Sequence, residues 1–437
     1  MKPRILIKPP GPKAAKIIRR DENYISPCLT RSVPLVIDRT YGVNIDDVDG
    51  NRYLDFGAGI SVANVGWNNP EVVNAVRKQM EKAAHTGFAD FYADAPVTLA
   101  EKLISLVKTQ NTVFYTNSGA ETIEAAMKLA RRYTGRKYFI SFYNSFHGRT
   151  YGALSLTAAK IVQREGFGPF LSTIHVPYPD SYRPQFENDE DGMKCLEYLE
   201  NVVFRKEVSP TEVAALFIEH VQGEGGYIVP PKRFVQELRK LCKDYGILYV
   251  ADEIQSGMFR TGKFLAGEHF GVDPDIICIA KSLSGGLVPI GVCLSNKKIS
   301  GWKECVGAYS GTFGGNLLSC TAGLATLNYM TKNKLAKRAE QTGKYIMNRM
   351  KEWEHRYRVV GDVRGLGMMI GIEIIKDKKT KKPGVEEREK IVNKCFENGL
   401  VLIPAGQSTI RIIPALTIER EDVDIGLDIL EKEIKKV

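Results

Sequence analysis

The sequence lacks the features that would place it in several large classes. Its 437 residues contain no C-x-x-C pair, and the eight cysteines (Cys28, Cys195, Cys242, Cys278, Cys293, Cys305, Cys320, Cys395) are scattered. Several lie inside apolar runs, which points to reduced core thiols in a cytoplasmic protein and away from a disulfide or zinc framework. His147 has no second His or Cys at ligand spacing, so no metal is expected. No apolar run reaches the roughly 20 residues that cross a bilayer, so no membrane partner is expected. Met1 to Arg20 is basic and proline-rich without a sustained apolar stretch, unlike a secretory signal. No Gly-x-x-x-x-Gly-Lys-Ser/Thr loop occurs, and no G-x-G-x-x-G follows a strand. Gly365-Leu366-Gly367, after Arg364, reads as a turn into a strand starting at Met368.

What is present is ordinary in bulk. Hydrophobic content of 43% and charged content of 26% describe a soluble globular chain. Its length exceeds one compact core and favours a large domain with a smaller one. The net charge of +10 is spread along the chain. Its densest cluster, Lys376 to Lys382, ends at Pro383-Gly384 and reads as a solvated loop rather than a nucleic-acid patch.

Along the chain, residues 1 to 41 read as an irregular arm broken by prolines. Gly42 to Phe56 reads as a hairpin around Asp49-Gly50-Asn51. Helices are expected at Pro70–Ala84 and Ala95–Val107. Strand, loop and helix then alternate. Strands are expected at Thr112–Tyr115, Lys137–Phe142, Ala214–Ile218, Ile247–Ala251 and Ile276–Ala280, with helices at Thr122–Tyr133 and Pro231–Tyr245. Such repetition argues for a mostly parallel, helix-covered sheet. Tyr178 to Glu190 is a polar insertion. From about Leu327 a long charged helix to about Arg356 precedes short strands at Met368–Ile375 and Thr409–Ile413, an α+β pattern.

The chemistry lies where strands stop. One apolar run ends on Asp252-Glu253 and another on Lys281, and in open α/β sheets ligands sit at the carboxyl ends of strands. Asn117-Ser118-Gly119-Ala120 joins a strand to a helix start; it is either a plain turn or a phosphate cradle of free N–H groups. Phe146 is either a core aromatic or a platform for a planar ring. Together, a cradle, a platform, a carboxylate and an amine are the parts that hold pyridoxal phosphate. The amine condenses with its aldehyde, and the carboxylate keeps the pyridine nitrogen protonated.

Val250-Ala251-Asp252-Glu253-Ile254-Gln255-Ser256-Gly257-Met258-Phe259-Arg260-Thr261-Gly262, followed by Pro274-Asp275-Ile276 and Lys281, resembles the class III aminotransferases of the fold type I pyridoxal-phosphate enzymes. Thr116 to Glu121, Phe146 to Thr150 and Gly311 to Asn316 carry the same resemblance, which runs from about Pro9 to Lys432. It implies an α/β fold: a large domain with a seven-stranded, mostly parallel sheet, and a smaller α+β domain built from both chain ends. The corresponding division is an arm and small-domain segment over 1–70, a cofactor-binding domain over 71–326 and a small domain over 327–437. It also implies that Lys281 is the Schiff-base lysine and proton carrier, that Asp252 binds the pyridine nitrogen, and that Gln255 binds the ring hydroxyl. Ser118, Gly119 and Ala120 would hold the phosphate, and Phe146 would stack on the ring. Thr312 would reach the phosphate of a neighbouring subunit, making a homodimer or larger assembly with shared sites.

Within the class, the pattern is similar to the ω-amino branch, such as 4-aminobutyrate and ornithine aminotransferases. Arg149 matches its carboxylate-binding arginine, and Glu224 and Arg411 its gateway pair. With Glu224 engaging Arg411, one carboxylate site is masked; when 2-oxoglutarate or glutamate enters, Arg411 is freed for its α-carboxylate. Ile60 stands where 4-aminobutyrate-type enzymes carry an apolar residue and ornithine enzymes a tyrosine. The chain departs from the family at His220 (usually proline), Phe259 (usually glycine), Leu317 (usually proline) and Pro289 (usually one position earlier). The rival function is an amino-acid racemase or epimerase on the same scaffold, which reprotonates the α-carbon from the opposite face.

Overall fold

The computed structural model describes residues 2–301 and 306–437, so Met1 and Cys305 lie outside the described residues. Its centre is a seven-stranded sheet in the order Thr112–Thr116, Gly291–Ser295, Ile276–Ile279, Leu248–Asp252, Val213–Ile218, Tyr138–Phe142, Thr173–Val176. Gly291–Ser295 is antiparallel to both neighbours, and the remaining pairings are parallel. The three central strands of the sheet, Ile276–Ile279, Leu248–Asp252 and Val213–Ile218, are buried along their whole length, as their unbroken apolar sequences require once helices cover both faces. Gly119–Thr134 is one such helix, turning Ile123, Ala126, Met127 and Ala130 inward.

Two four-stranded sheets flank the large one. The first pairs Ile37–Tyr41, Asn44–Asp47 and Arg52–Asp55 antiparallel, then adds Leu400–Val401 in parallel beside Leu54–Asp55. The second is antiparallel, in the order Val360–Leu366, Met369–Ile374, Thr409–Ile412, Ile403–Ala405. Residues from both chain ends therefore share one sheet.

Three expectations are corrected. The arm is not wholly irregular: Pro12–Tyr24 is a helix with proline at its first turn. Gly365 and Leu366 belong to a seven-residue strand, and the reversal falls at Gly367, whose φ is 55°. The single long helix is two, Leu317–Lys332 and Leu335–Arg356. The break is local: Asn333 donates its backbone N–H and its side-chain amide to Tyr329 O at 3.0 and 2.9 Å, closing the first helix, and Lys334 turns the chain at φ 52°.

Two buried polar clusters fasten the parts around the central sheet. Arg260 is fully buried and donates to Ser61 Oγ (3.2 Å), Met368 O (3.2 Å), Pro414 O (2.7 Å) and Asn64 Oδ1. Arg260→Met leaves those acceptors dry and unpaired, so unfolding free energy should drop by about 3–5 kcal/mol. An unchanged denaturation midpoint for this variant would remove Arg260 as a fastener. Glu373, also buried, accepts from Arg183 and Arg364 at 2.7 Å, Ser408 Oγ at 2.6 Å and Thr409 Oγ1 at 2.7 Å.

Burial alone would raise the Glu373 carboxyl, but Arg364, Arg183 and Ser408 outweigh it and hold it at about 2. A depressed carboxyl stabilises the fold fully above its unfolded value of 4.5, and that stability is lost as pH falls toward about 2. Glu373→Gln should cost roughly 3 kcal/mol at pH 7 and flatten the fall in stability between those two pH values. Urea unfolding across that window measures both; an unaltered slope would mean that Glu373 does not govern it.

Candidate active site

The carboxyl ends of the parallel strands open on one edge of the sheet, and a cavity of about 310 Å³ lies there. It is lined by Gly119, Ala120, Phe146, His147, Gly148, Arg149, Glu219, Asp252, Ile254, Gln255 and Lys281. Eight of these follow strands directly or lie in the loop after one, which is why residues far apart in sequence meet.

Ser118 caps the helix Gly119–Thr134, its Oγ accepting from Glu121 N at 3.2 Å. Glu121 reaches back to Asn117 N at 2.7 Å. The N–H groups of the first turn have no partner within the helix, and the helix end is positive. Gly148 lies against this turn at φ 143°, and a Cβ there would stand 2.8 Å from the Ala120 Cβ.

Asp252 ends its strand and is buried. Its Oδ2 meets His147 Nδ1 at 2.7 Å and its Oδ1 accepts from Ile254 N at 3.0 Å. His147 Nε2 is buried without a partner. Lys281 follows the strand Ile276–Ile279 with φ 41°, a left-handed backbone that a lysine seldom adopts. Such strain gathers at functional positions. Burial pushes the Lys281 amine below its ordinary range; Asp252 opposes that shift and Arg411 adds to it. A neutral amine is the form that attacks an aldehyde. Glu219 accepts from Phe146 N at 2.8 Å and Gly223 N at 2.9 Å, and its carboxyl is raised to about 7 by burial, against His147 and with Asp252.

Phe146 is half-buried, with the Arg149 guanidinium 5.5 Å from its ring centroid and Arg149 itself exposed. Gln255 Oε1 accepts from the Tyr227 hydroxyl at 2.9 Å. Arg411 lies 5.8 Å over the same Tyr227 ring, and Ile60 packs in the cluster that contains Tyr227. Arg411 is 1% exposed and donates from Nη2 to Glu224 Oε2, while its Nε and Nη1 are buried without partners. Burial pushes the Glu224 carboxyl up, but Arg411 and Lys160 outweigh it and hold it below its ordinary value.

Ile60, Glu224, Arg411, Ser118 and Thr312 are not among the residues lining the cavity itself. Glu224, Arg411 and Ile60 gather around Tyr227 beside it, Ser118 caps the helix whose next two residues line it, and Thr312 is exposed.

Sequence reasoning passed over Tyr227, Glu219 and Lys160. Glu219 carried a usable signal, because it too is a lone acid at the end of an apolar strand. Tyr227 and Lys160 carried none, since their importance comes from contacts across the fold.

The departures from the family pattern also find physical places. His220 bridges Glu253 Oε1 at 3.1 Å and the Tyr249 hydroxyl at 3.0 Å, stacked 5.7 Å from Phe270. Phe259 adopts φ 64°, a conformation that suits glycine, and packs on Phe264 at 5.4 Å. Leu317 is the first residue of its helix, the position proline tolerates best. Pro289 O accepts from Ser319 Oγ at 2.8 Å.

A helix-end cradle beside Gly148, a buried strand-end carboxylate and a half-buried lysine around one cavity of an α/β sheet suit a phosphorylated pyridine aldehyde. Residues 27–434 match the family described as Aminotransferase class-III. The chain is 38% identical over 448 residues to the alanine/serine racemase of Pyrococcus horikoshii, covering 99% of this chain and 93% of that protein. It is 39% identical over 400 residues to a probable 4-aminobutyrate aminotransferase of Bacillus subtilis, covering 90% and 91%. Among solved structures, a taurine:2-oxoglutarate aminotransferase from Bifidobacterium kashiwanohense, in complex with PLP and glutamate, superposes with a TM-score of 0.90 at 27% identity. That match covers 97% of this chain and 98% of the other. The chain belongs to the class III aminotransferases, and pyridoxal 5′-phosphate is its cofactor.

Proposed function

We propose that this enzyme moves the amino group of an ω-amino acid such as 4-aminobutyrate, or of an ornithine- or lysine-like donor, to 2-oxoglutarate. When bound, the cofactor supplies an aldehyde and an electron-withdrawing ring that lets a C–H bond beside the amine ionise. In this reading Lys281 carries the proton between the substrate and cofactor carbons, and Asp252, oriented by His147, holds the ring nitrogen. Gln255 takes the ring hydroxyl, Phe146 stacks on the ring, and Ser118, Gly119 and Ala120 take the phosphate. Arg149 binds the distal carboxylate, with Ile60 shaping the pocket beside it.

The observation that carries the choice is the Glu224–Arg411 pair, with two further Arg411 nitrogens buried and unpartnered. Buried guanidinium nitrogens without partners in a dry site ask for a further acceptor, and a carboxylate that takes the place of Glu224 at Nη2 can bridge to either of them in bidentate fashion. Arg411→Met should therefore raise the 2-oxoglutarate concentration for half-maximal reaction by about 100-fold, with a much smaller change for 4-aminobutyrate. Single-turnover half-reactions, each followed by the cofactor's absorbance, test this. Equal losses in both directions would sink the assignment.

The second reading, racemisation or epimerisation of an amino acid, is favoured by the likeness to the Pyrococcus racemase. We further propose a homodimer or larger assembly in which exposed Thr312 reaches the phosphate of a neighbouring copy, and the division at residues 70 and 326. The pairing of Leu400–Val401 with Leu54–Asp55 supports joining both chain ends in one small domain. No described helix is long and apolar enough to cross a membrane. The seven described cysteines are free, six of them buried, which supports a reducing, cytoplasmic setting.

A further inference from the structure

The Glu224 carboxylate faces two cations. Its Oε2 faces Arg411, while its Oε1 accepts from Lys160 Nζ at 2.7 Å. The two cations differ in setting: the Arg411 side chain is 1% exposed, and that of Lys160 is 42% exposed. The backbone of Glu224 is held in place, since its carbonyl accepts from Gly406 N at 2.8 Å and the neighbouring Gly226 carbonyl from Arg364 at 3.0 Å. Only the carboxylate arm is free to swing.

We propose that Lys160 is a positioning residue that holds the Glu224 carboxylate when Arg411 leaves it for a substrate α-carboxylate. It thereby lowers the cost of unmasking Arg411. This inference rests on the reading of Arg411 as the α-carboxylate site.

The effect is electrostatic. The Glu224 side chain is only 21% exposed, so a carboxylate stripped of Arg411 would be left largely dry. Removing one partner of a buried ion pair is costly because the remaining charge is uncompensated. With Lys160 at Oε1, the freed carboxylate keeps a charge-assisted hydrogen bond and never stands alone. In the masked state the carboxylate has two cations, and a second adds less than a first. Lys160 therefore stabilises the unmasked state more than the masked one, and only such differential stabilisation shifts an equilibrium. The partial exposure of Lys160 keeps its hold weak enough for Glu224 to return once glutamate departs.

The test uses holoenzyme and the two half-reactions measured separately. Lys160→Met should raise the half-saturating concentration of 2-oxoglutarate by about five- to tenfold. The half-reaction with 4-aminobutyrate, during which Arg411 stays masked, should change less than about twofold. Lys160→Arg should restore the 2-oxoglutarate value, because it returns the cation. In a Glu224→Gln background there is no carboxylate to hold, so Lys160→Met should have no further effect on 2-oxoglutarate. Equal loss in both half-reactions, no loss in either, or an effect that persists in the Glu224→Gln background would overturn the proposal. A wild-type enzyme that shows no 2-oxoglutarate half-reaction would instead remove the reading of Arg411 on which it rests.

Discussion

Replacing Lys281 with alanine should lower turnover by about four orders of magnitude and remove the visible absorbance band that belongs to covalently attached cofactor. Positioned proton transfer is worth about 10²–10⁴ in rate, and loss of the covalent attachment adds to that. Two features concentrate the effect at this side chain. Its amine is depressed by burial, with Asp252 opposing the shift and Arg411 adding to it, and the net lowering favours the neutral, nucleophilic form. Its backbone sits at φ 41°, separated by one residue from the end of a buried strand, so its position is fixed by the sheet rather than by a mobile loop. Lys281→Ala should bind added cofactor through the cradle and Asp252 alone, and a large excess of a small primary amine should recover part of the rate. A variant that kept wild-type turnover would displace Lys281 from the chemistry altogether.

The second large effect is expected at Asp252. Asp252→Asn keeps the shape of the side chain and removes its charge. Turnover should fall by about 10²–10³, the scale seen when a preorganised electrostatic partner is lost from a dry site. Cofactor affinity should fall with it. The contact between Asp252 Oδ2 and His147 Nδ1 at 2.7 Å makes the ring a support for the carboxylate, and its Nε2 has no protein partner. His147→Gln should therefore give a smaller loss of the same kind, about tenfold. Dialysis against buffer without cofactor, followed by a rate measurement at saturating cofactor, separates affinity from turnover. A fully active Asp252→Asn enzyme would mean that the ring nitrogen draws nothing from this carboxylate.

Most of the central sheet was legible because its strands are apolar runs that stop on charged or small residues. The positions of Asp252, Lys281 and the Asn117–Ala120 turn followed from that punctuation. The strand Gly291–Ser295 was missed. It is short, begins with glycine and follows the Ser284–Pro289 loop, so nothing in its pattern separates it from a buried turn. Its glycine is required by packing, since a Cβ at Gly291 would stand 2.2 Å from Thr122 Oγ1. The helix in the N-terminal arm was hidden by prolines on both sides of it, one of which starts it. The break at Asn333-Lys334 was hidden because it contains neither proline nor glycine; the stop is made by a side-chain cap and a left-handed lysine.

The site divides along the same line. Residues at strand ends are legible from local sequence, and Glu219 belongs with them. The Glu224–Arg411 pair joins residues 187 positions apart, and no local pattern contains it; the family resemblance supplied it. Lys160 and Tyr227 came only with the fold, since each matters through what it touches.

One measurement bears most directly on transamination. The holoenzyme is incubated with 4-aminobutyrate and 2-oxoglutarate, and in parallel with single L-amino acids without any keto acid; glutamate and the D-enantiomers are then quantified by chiral chromatography. Glutamate formed mole for mole with the donor consumed, and no D-isomer without a keto acid, is the expected result. D-amino acid accumulating from the L-form alone, with no glutamate from the paired substrates, would contradict transamination and establish racemisation in its place.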